Sequence, residues 1–199
     1  MPQLEDRVRH LFGISIESKI AIVDTLAPII ATSSTRLVNC LLNEGKILVC
    51  GQGGSAANGL HFTTALLNHF EVERPSLPAI SLATDAIFMS EVASTHQYDH
   101  VFARQIQAIG SKNDVLLILT TSGHSESLIY AVNAANDRGI DTIALTGRDG
   151  GVLANHLGPE DIEVRVQGDA SATIRENHLF ILHCFCDLID QALFGQMAG

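Results

Sequence analysis

Two short segments concentrate the residue types that can hold an anion. Gly51-Gln52-Gly53-Gly54-Ser55 follows an apolar run and precedes a helical pattern that begins near Ala56. Glycines at such a turn let backbone N–H groups converge on a negative charge, the helix N-terminus adds partial positive charge, and Ser55 supplies a hydroxyl. The segment lacks the Gly-Lys-Ser/Thr ending of a nucleotide P-loop and the G-x-G-x-x-G of a dinucleotide fold. Glycines placed only to make the turn would give the same string. The second segment, Thr120-Thr121-Ser122-Gly123-His124-Ser125, stands in the same place after a later apolar run. Its hydroxyls, a glycine and a helix start can satisfy the oxygens of a phosphomonoester without a lysine. A serine N-cap would account for Ser125 but not for the cluster. Together the two segments predict a phosphate site.

The elements that must position these loops are legible from periodicity. Leu4, Val8, Leu11 and Phe12, then Ile16, Ile20 and Val23, recur at helical spacing, as do Leu37, Leu41 and Leu42 before Gly45. That predicts N-terminal helices over residues 1–45, whose apolar face can cover a sheet or dock on another subunit. From Lys46 onward, short apolar runs alternate with helical segments: 47–50, 79–82, 115–119, 142–145 and 162–166. Near-continuous apolarity suits strands of a parallel sheet buried on both faces, and the intervening segments are long enough to cross over as helices. The fold class expected is α/β, a three-layer α/β/α sandwich with a five-stranded parallel, flavodoxin-like sheet preceded by the N-terminal helices. Residues 1–199 read as one domain, with the sheet core and C-terminal helix in 46–199. Ligands in such sheets bind at the carboxyl ends of strands, where the first and third strands deliver the two loops.

Composition narrows the partners. Twelve Lys and Arg against 22 Asp and Glu give a net charge of −10, which opposes direct binding to nucleic acid or to an anionic membrane. Apolar runs are too short to span a bilayer, and the N-terminus has no basic or apolar leader, so a cytoplasmic location is expected. Cys40, Cys50, Cys184 and Cys186 form no C-x-x-C pair and read as buried free thiols. Cys184 and Cys186, two apart on a helix, point to different sides of it and do not suit a shared zinc ion.

The ordered set of motifs resembles the sugar isomerase (SIS) family, in the branch that holds phosphoheptose isomerase and the initiator-associating protein DiaA. The resemblance runs over nearly the whole chain, through 51–55, His61-Phe62, 73–79, Thr120–Ser125, 144–151, 158–161 and 186–190. It implies phosphate binding by Ser55, Thr120, Ser122 and Ser125 and assembly as a homotetramer. The wider set of phosphate- or sugar-binding candidates is Gly53, Gly54, Ser55, Thr120, Thr121, Ser122, Ser125 and Arg175.

For the isomerases of the family the resemblance implies a metal ligated by His, Glu, Gln and His, the last also being the catalytic acid/base. Here His61 and His183 match, but Ala65 stands at the Glu position and Arg175 at the Gln position. The family's Asn-Asp pair reads Ser94-Thr95, its first-loop Asn is Gln52, and a further Asp is Ala172. His124, in place of an Asn, could pair with Glu126 or face solvent. A methyl cannot ligate, and a guanidinium beside a divalent ion is unfavourable. His61 and His183 alone make a weak, incomplete metal site.

These losses lead to the expectation of a non-catalytic adaptor resembling DiaA. It would be a homotetramer that binds the replication initiator DnaA as well as a sugar phosphate, with no cofactor. The alternative is a D-sedoheptulose-7-phosphate isomerase with His183 as its acid/base. Only in that case would zinc be expected.

Overall fold

The computed structural model describes residues 2–195. It contains a five-stranded, all-parallel sheet in the order β2-β1-β3-β4-β5. The strands are β1 (Ile47–Gly51), β2 (Ala79–Ser81), β3 (Val115–Leu119), β4 (Asp141–Gly147) and β5 (Ile162–Val166). Helices α1 (Pro2–Leu42), α2 (Gly54–Leu67) and α6 (Ser171–Phe194) share one face, and α3 (Ala86–Ser94), α4 (Val101–Ile109) and α5 (Glu126–Asp137) the other. The expected α/β sandwich is present.

Strand pleating explains the two cores. Ile47 and Val49, Val115, Leu117 and Leu119, and Ile143 and Leu145 point to the α1/α2/α6 side, while Leu48, Cys50, Leu116, Ile118 and Ala144 point to the other. A strand buried on both faces needs apolar residues at every position, and β1 and β3 are buried throughout. At the carboxyl edge, β1 lies between β2 and β3, so the chain leaves to opposite sides at that point. The crevice there receives both anion-loop candidates.

The helical region ahead of the sheet is one 41-residue helix that runs through Pro28. Four successive hydroxyls after the proline turn back onto the helix: Thr32, Ser33, Ser34 and Thr35 donate to the carbonyls of Pro28, Ile29, Ile30 and Ala31. This is how a Thr-Ser-Ser-Thr run remains helical. The second half of α1 covers the sheet through Leu26, Leu37 and Cys40. Its first half leaves Leu4, Val8, Phe12 and Ile20 exposed. Cys40, Cys50 and Cys186 are buried free thiols, and Cys184 is half-buried. Among the described residues no helix is long and apolar enough to cross a membrane.

Candidate functional site

The two loops meet as anticipated, and a contact that the motifs do not advertise ties them together. Gln52 donates from Nε2 to Ser127 Oγ (3.0 Å) and accepts at Oε1 from Ser125 Oγ (2.8 Å), and the two serine oxygens are themselves 3.0 Å apart. Ser125 therefore makes no side-chain cap for α5, although it occupies the N-cap position. Ser127 was not singled out from the sequence. Its only signal is that it is the second residue of the helix that the second loop opens.

Each loop is shaped by its glycines. Gly53 adopts φ 54° at the N-cap of α2, and Gly123 adopts φ 66°. A Cβ on Gly123 would overlap the Gly150 carbonyl, so glycine is required there for space as well as for dihedral. Thr120 is buried and accepts at Oγ1 from the N–H of Gly123 (3.0 Å) and of Ser122 (3.4 Å). Its hydroxyl thus holds the turn. Among the described residues the hydroxyls of Ser55, Thr121 and Ser122 make no hydrogen bond, so they are open to a ligand. His124 is exposed and has no bond to Glu126.

Helices α2 and α6 form the seam that leads away from the loops. Asn58 Nδ2 donates to the Arg175 carbonyl (2.9 Å), and further along His61 Nε2 and His183 Nε2 are 3.0 Å apart. His183 also packs on Phe70 at 5.4 Å between ring centroids. Burial pushes the His183 imidazolium pKa down; the neighbouring His61 charge adds to this, and Glu71 partly opposes it. His183 is thereby biased to the neutral ring that can take a proton.

Arg74, buried and unforeseen as a site support, fixes the seam. Its Nε donates to Asp190 Oδ1 (2.8 Å), and its other nitrogens donate to the carbonyls of Ala65 (2.9 Å) and Leu66 (2.7 Å) at the end of α2. One guanidinium therefore caps α2 and ties it to α6.

A zinc ion does not fit the residues present. His61 and His183 supply two imidazole nitrogens, 3.0 Å apart, where zinc takes three or four protein ligands. Ala65, one turn after His61, presents only a methyl group, and no described group of three or more His, Cys, Asp or Glu could hold a metal.

Comparison with known proteins places these features in context. The SIS domain model matches residues 15–147. The chain is 49% identical over 194 residues to a phosphoheptose isomerase of Halorhodospira halophila, covering 98% of both chains. It is 47% identical over 191 residues to that of Chromohalobacter salexigens, covering 96% of this chain and 97% of the other. A solved phosphoheptose isomerase from Francisella tularensis superposes with TM-score 0.91 at 46% identity, over 96% of this chain and all of that one.

These relatives overturn the adaptor expectation. The likeness is to phosphoheptose isomerases, not to DiaA, and it supports neither a DnaA partner, nor a role in replication, nor a homotetramer. The physical reason is visible in the seam. Ala65 and Arg175 remove metal donors, but the imidazole pair and both loops remain assembled, so the two missing donors do not by themselves argue for a non-catalytic protein.

Proposed function

The chain belongs to the SIS family, and from that premise we propose that it is a phosphoheptose isomerase. It would interconvert D-sedoheptulose 7-phosphate and D-glycero-D-manno-heptose 7-phosphate. The observation that carries this reading is 47–49% identity to phosphoheptose isomerases across nearly the whole chain.

The geometry supplies a physical account. Gly53, Gly54, Ser55, Thr121 and Ser122 offer backbone N–H groups and free hydroxyls to the phosphate, in a cradle braced by Thr120, Gln52 and Ser125. The reaction moves a proton between adjacent carbons. A base removes it from C1 of the ketose while the C2 oxygen takes up a proton, giving an enediol; the O1 proton then leaves as a proton returns at C2, which forms the C1 aldehyde. His183, biased to its neutral form, is the acid/base. His61 shares a proton with it across the 3.0 Å contact and fixes its orientation. We place the activity in the cytoplasm, where phosphorylated sugars are made and retained.

The test is direct. Purified protein incubated with sedoheptulose 7-phosphate is expected to form the aldose phosphate, and His183→Ala to abolish that turnover while leaving the melting temperature near wild type. Absence of turnover in the wild type would overturn the reading.

A further inference from the structure

Arg175 lies where the proposed phosphate site lacks formal charge. Every donor contributed by the two loops is neutral, either a backbone N–H or a hydroxyl, and the protein as a whole carries a net charge of −10. Arg175 belongs to the first turns of α6, and its backbone is pinned to α2 by Asn58. Its side chain runs across the first residue of that helix. A Cβ built on Gly54 would come within 2.8 Å of Arg175 Cδ, 3.0 Å of Nε and 3.5 Å of Cζ. The side chain is thus laid over Gly54, the first residue of α2.

Arg175 is also unusual among the arginines of the core region. Arg36, Arg74 and Arg165 each hold a carboxylate, and Arg138 and Arg148 hold backbone carbonyls. Among the described residues the half-buried Arg175 guanidinium has no hydrogen bond and no ion pair. A guanidinium with no protein acceptor is available to an anion, and phosphate matches its planar fork in a bidentate manner.

We propose that Arg175 is the specificity-determining clamp of the site, the cation that makes it select dianionic phosphate esters over free sugars. Gly54 is glycine because the clamp's stem needs the space a side chain would take. The inference rests on the phosphosugar reading above and adds a charge to it. Gly54 and Arg175 act as a pair, so the effects of substituting them are not independent.

Calorimetric titration of the full-length protein with sedoheptulose 7-phosphate and, separately, inorganic phosphate tests the idea. Arg175→Gln is expected to weaken both ligands about 10- to 100-fold and to flatten the salt dependence of binding. Arg175→Lys should recover part of the loss, because it keeps the charge without the fork. Gly54→Ala should weaken binding in the wild type but change it less than about twofold in an Arg175→Ala background, where the stem is gone. A folded Arg175→Gln protein with wild-type affinity and salt dependence would overturn the clamp and leave the phosphosugar reading intact. If the wild type bound neither ligand, the phosphosugar reading itself would fail and the clamp with it.

Discussion

His61 and His183 come from helices whose sequences are far apart, and their chemistry depends on a single contact. With the two Nε2 atoms at hydrogen-bond distance, one ring donates and the other accepts, so each fixes the tautomer available to its partner. If His183 is the acid/base, His183→Asn should lower kcat by about 10²- to 10⁴-fold with little change in KM, measured by steady-state kinetics on sedoheptulose 7-phosphate. A comparable rise in KM without loss of kcat would make it a binding residue instead. His178, one turn nearer the start of α6, has a different task. Its Nε2 donates to the Thr146 carbonyl (2.9 Å), its buried Nδ1 has no partner among the described residues, and burial lowers its pKa to about 4.

At the scale of elements, the seam and the loop turn are the vulnerable joints. Arg74 and Asp190 are both buried, and Arg74 also caps α2. Arg74→Met would leave a buried carboxylate without its partner and the end of α2 without its cap. An unfolding free energy lower by about 3–5 kcal/mol is expected in urea denaturation. A loss below about 1 kcal/mol would show that water can replace the guanidinium. In the second loop, Gly123→Ala would force a side chain into the Gly150 carbonyl at a positive φ. Phosphate affinity should fall by at least about tenfold, with a lower melting temperature. Retained affinity would mean that the turn relaxes without moving Ser122.

For the whole molecule, pH is the informative variable. Above about pH 6.5, the ordinary histidine value, His178 is neutral whether the chain is folded or not. As pH falls towards about 4, the unfolded chain takes up a proton that the folded one refuses, so stability declines by about 3 kcal/mol over that window. Asp114 acts at lower pH. Burial alone would raise its carboxyl, but hydrogen bonds from Lys46 Nζ (2.6 Å), Lys46 N–H (3.0 Å) and Ser111 N–H (2.8 Å) hold it below the usual carboxylate range. Its stabilisation is complete above the unfolded carboxyl value and disappears as pH falls through the folded one. Urea midpoints measured from pH 7 to 4 should therefore fall steadily in the wild type and less steeply in His178→Gln. Parallel slopes for the two proteins would remove His178 as the cause.

The sequence by itself determined the five strands, their parallel arrangement and the two glycine- and hydroxyl-bearing loops at the strand ends. Those features are local: an apolar run, a glycine pair or a hydroxyl cluster acts through the backbone beside it. The helix count ahead of the sheet was less legible. Pro28 suggests a break, yet packing of Leu26 and Leu37 on the sheet keeps α1 continuous across it. Tertiary structure alone decided the Gln52–Ser125–Ser127 link, the inward turn of Thr120, the Arg74 brace, the His61–His183 contact and the position of Arg175 over Gly54. Most of these join residues more than 70 positions apart, whose proximity is set by how α2, α5 and α6 seat on the sheet, and no local pattern encodes that. The same gap misled the functional expectation. The two missing donors and the two surviving histidines were both visible in the string, whereas the 3.0 Å contact between His61 and His183 became visible only when the helices were packed.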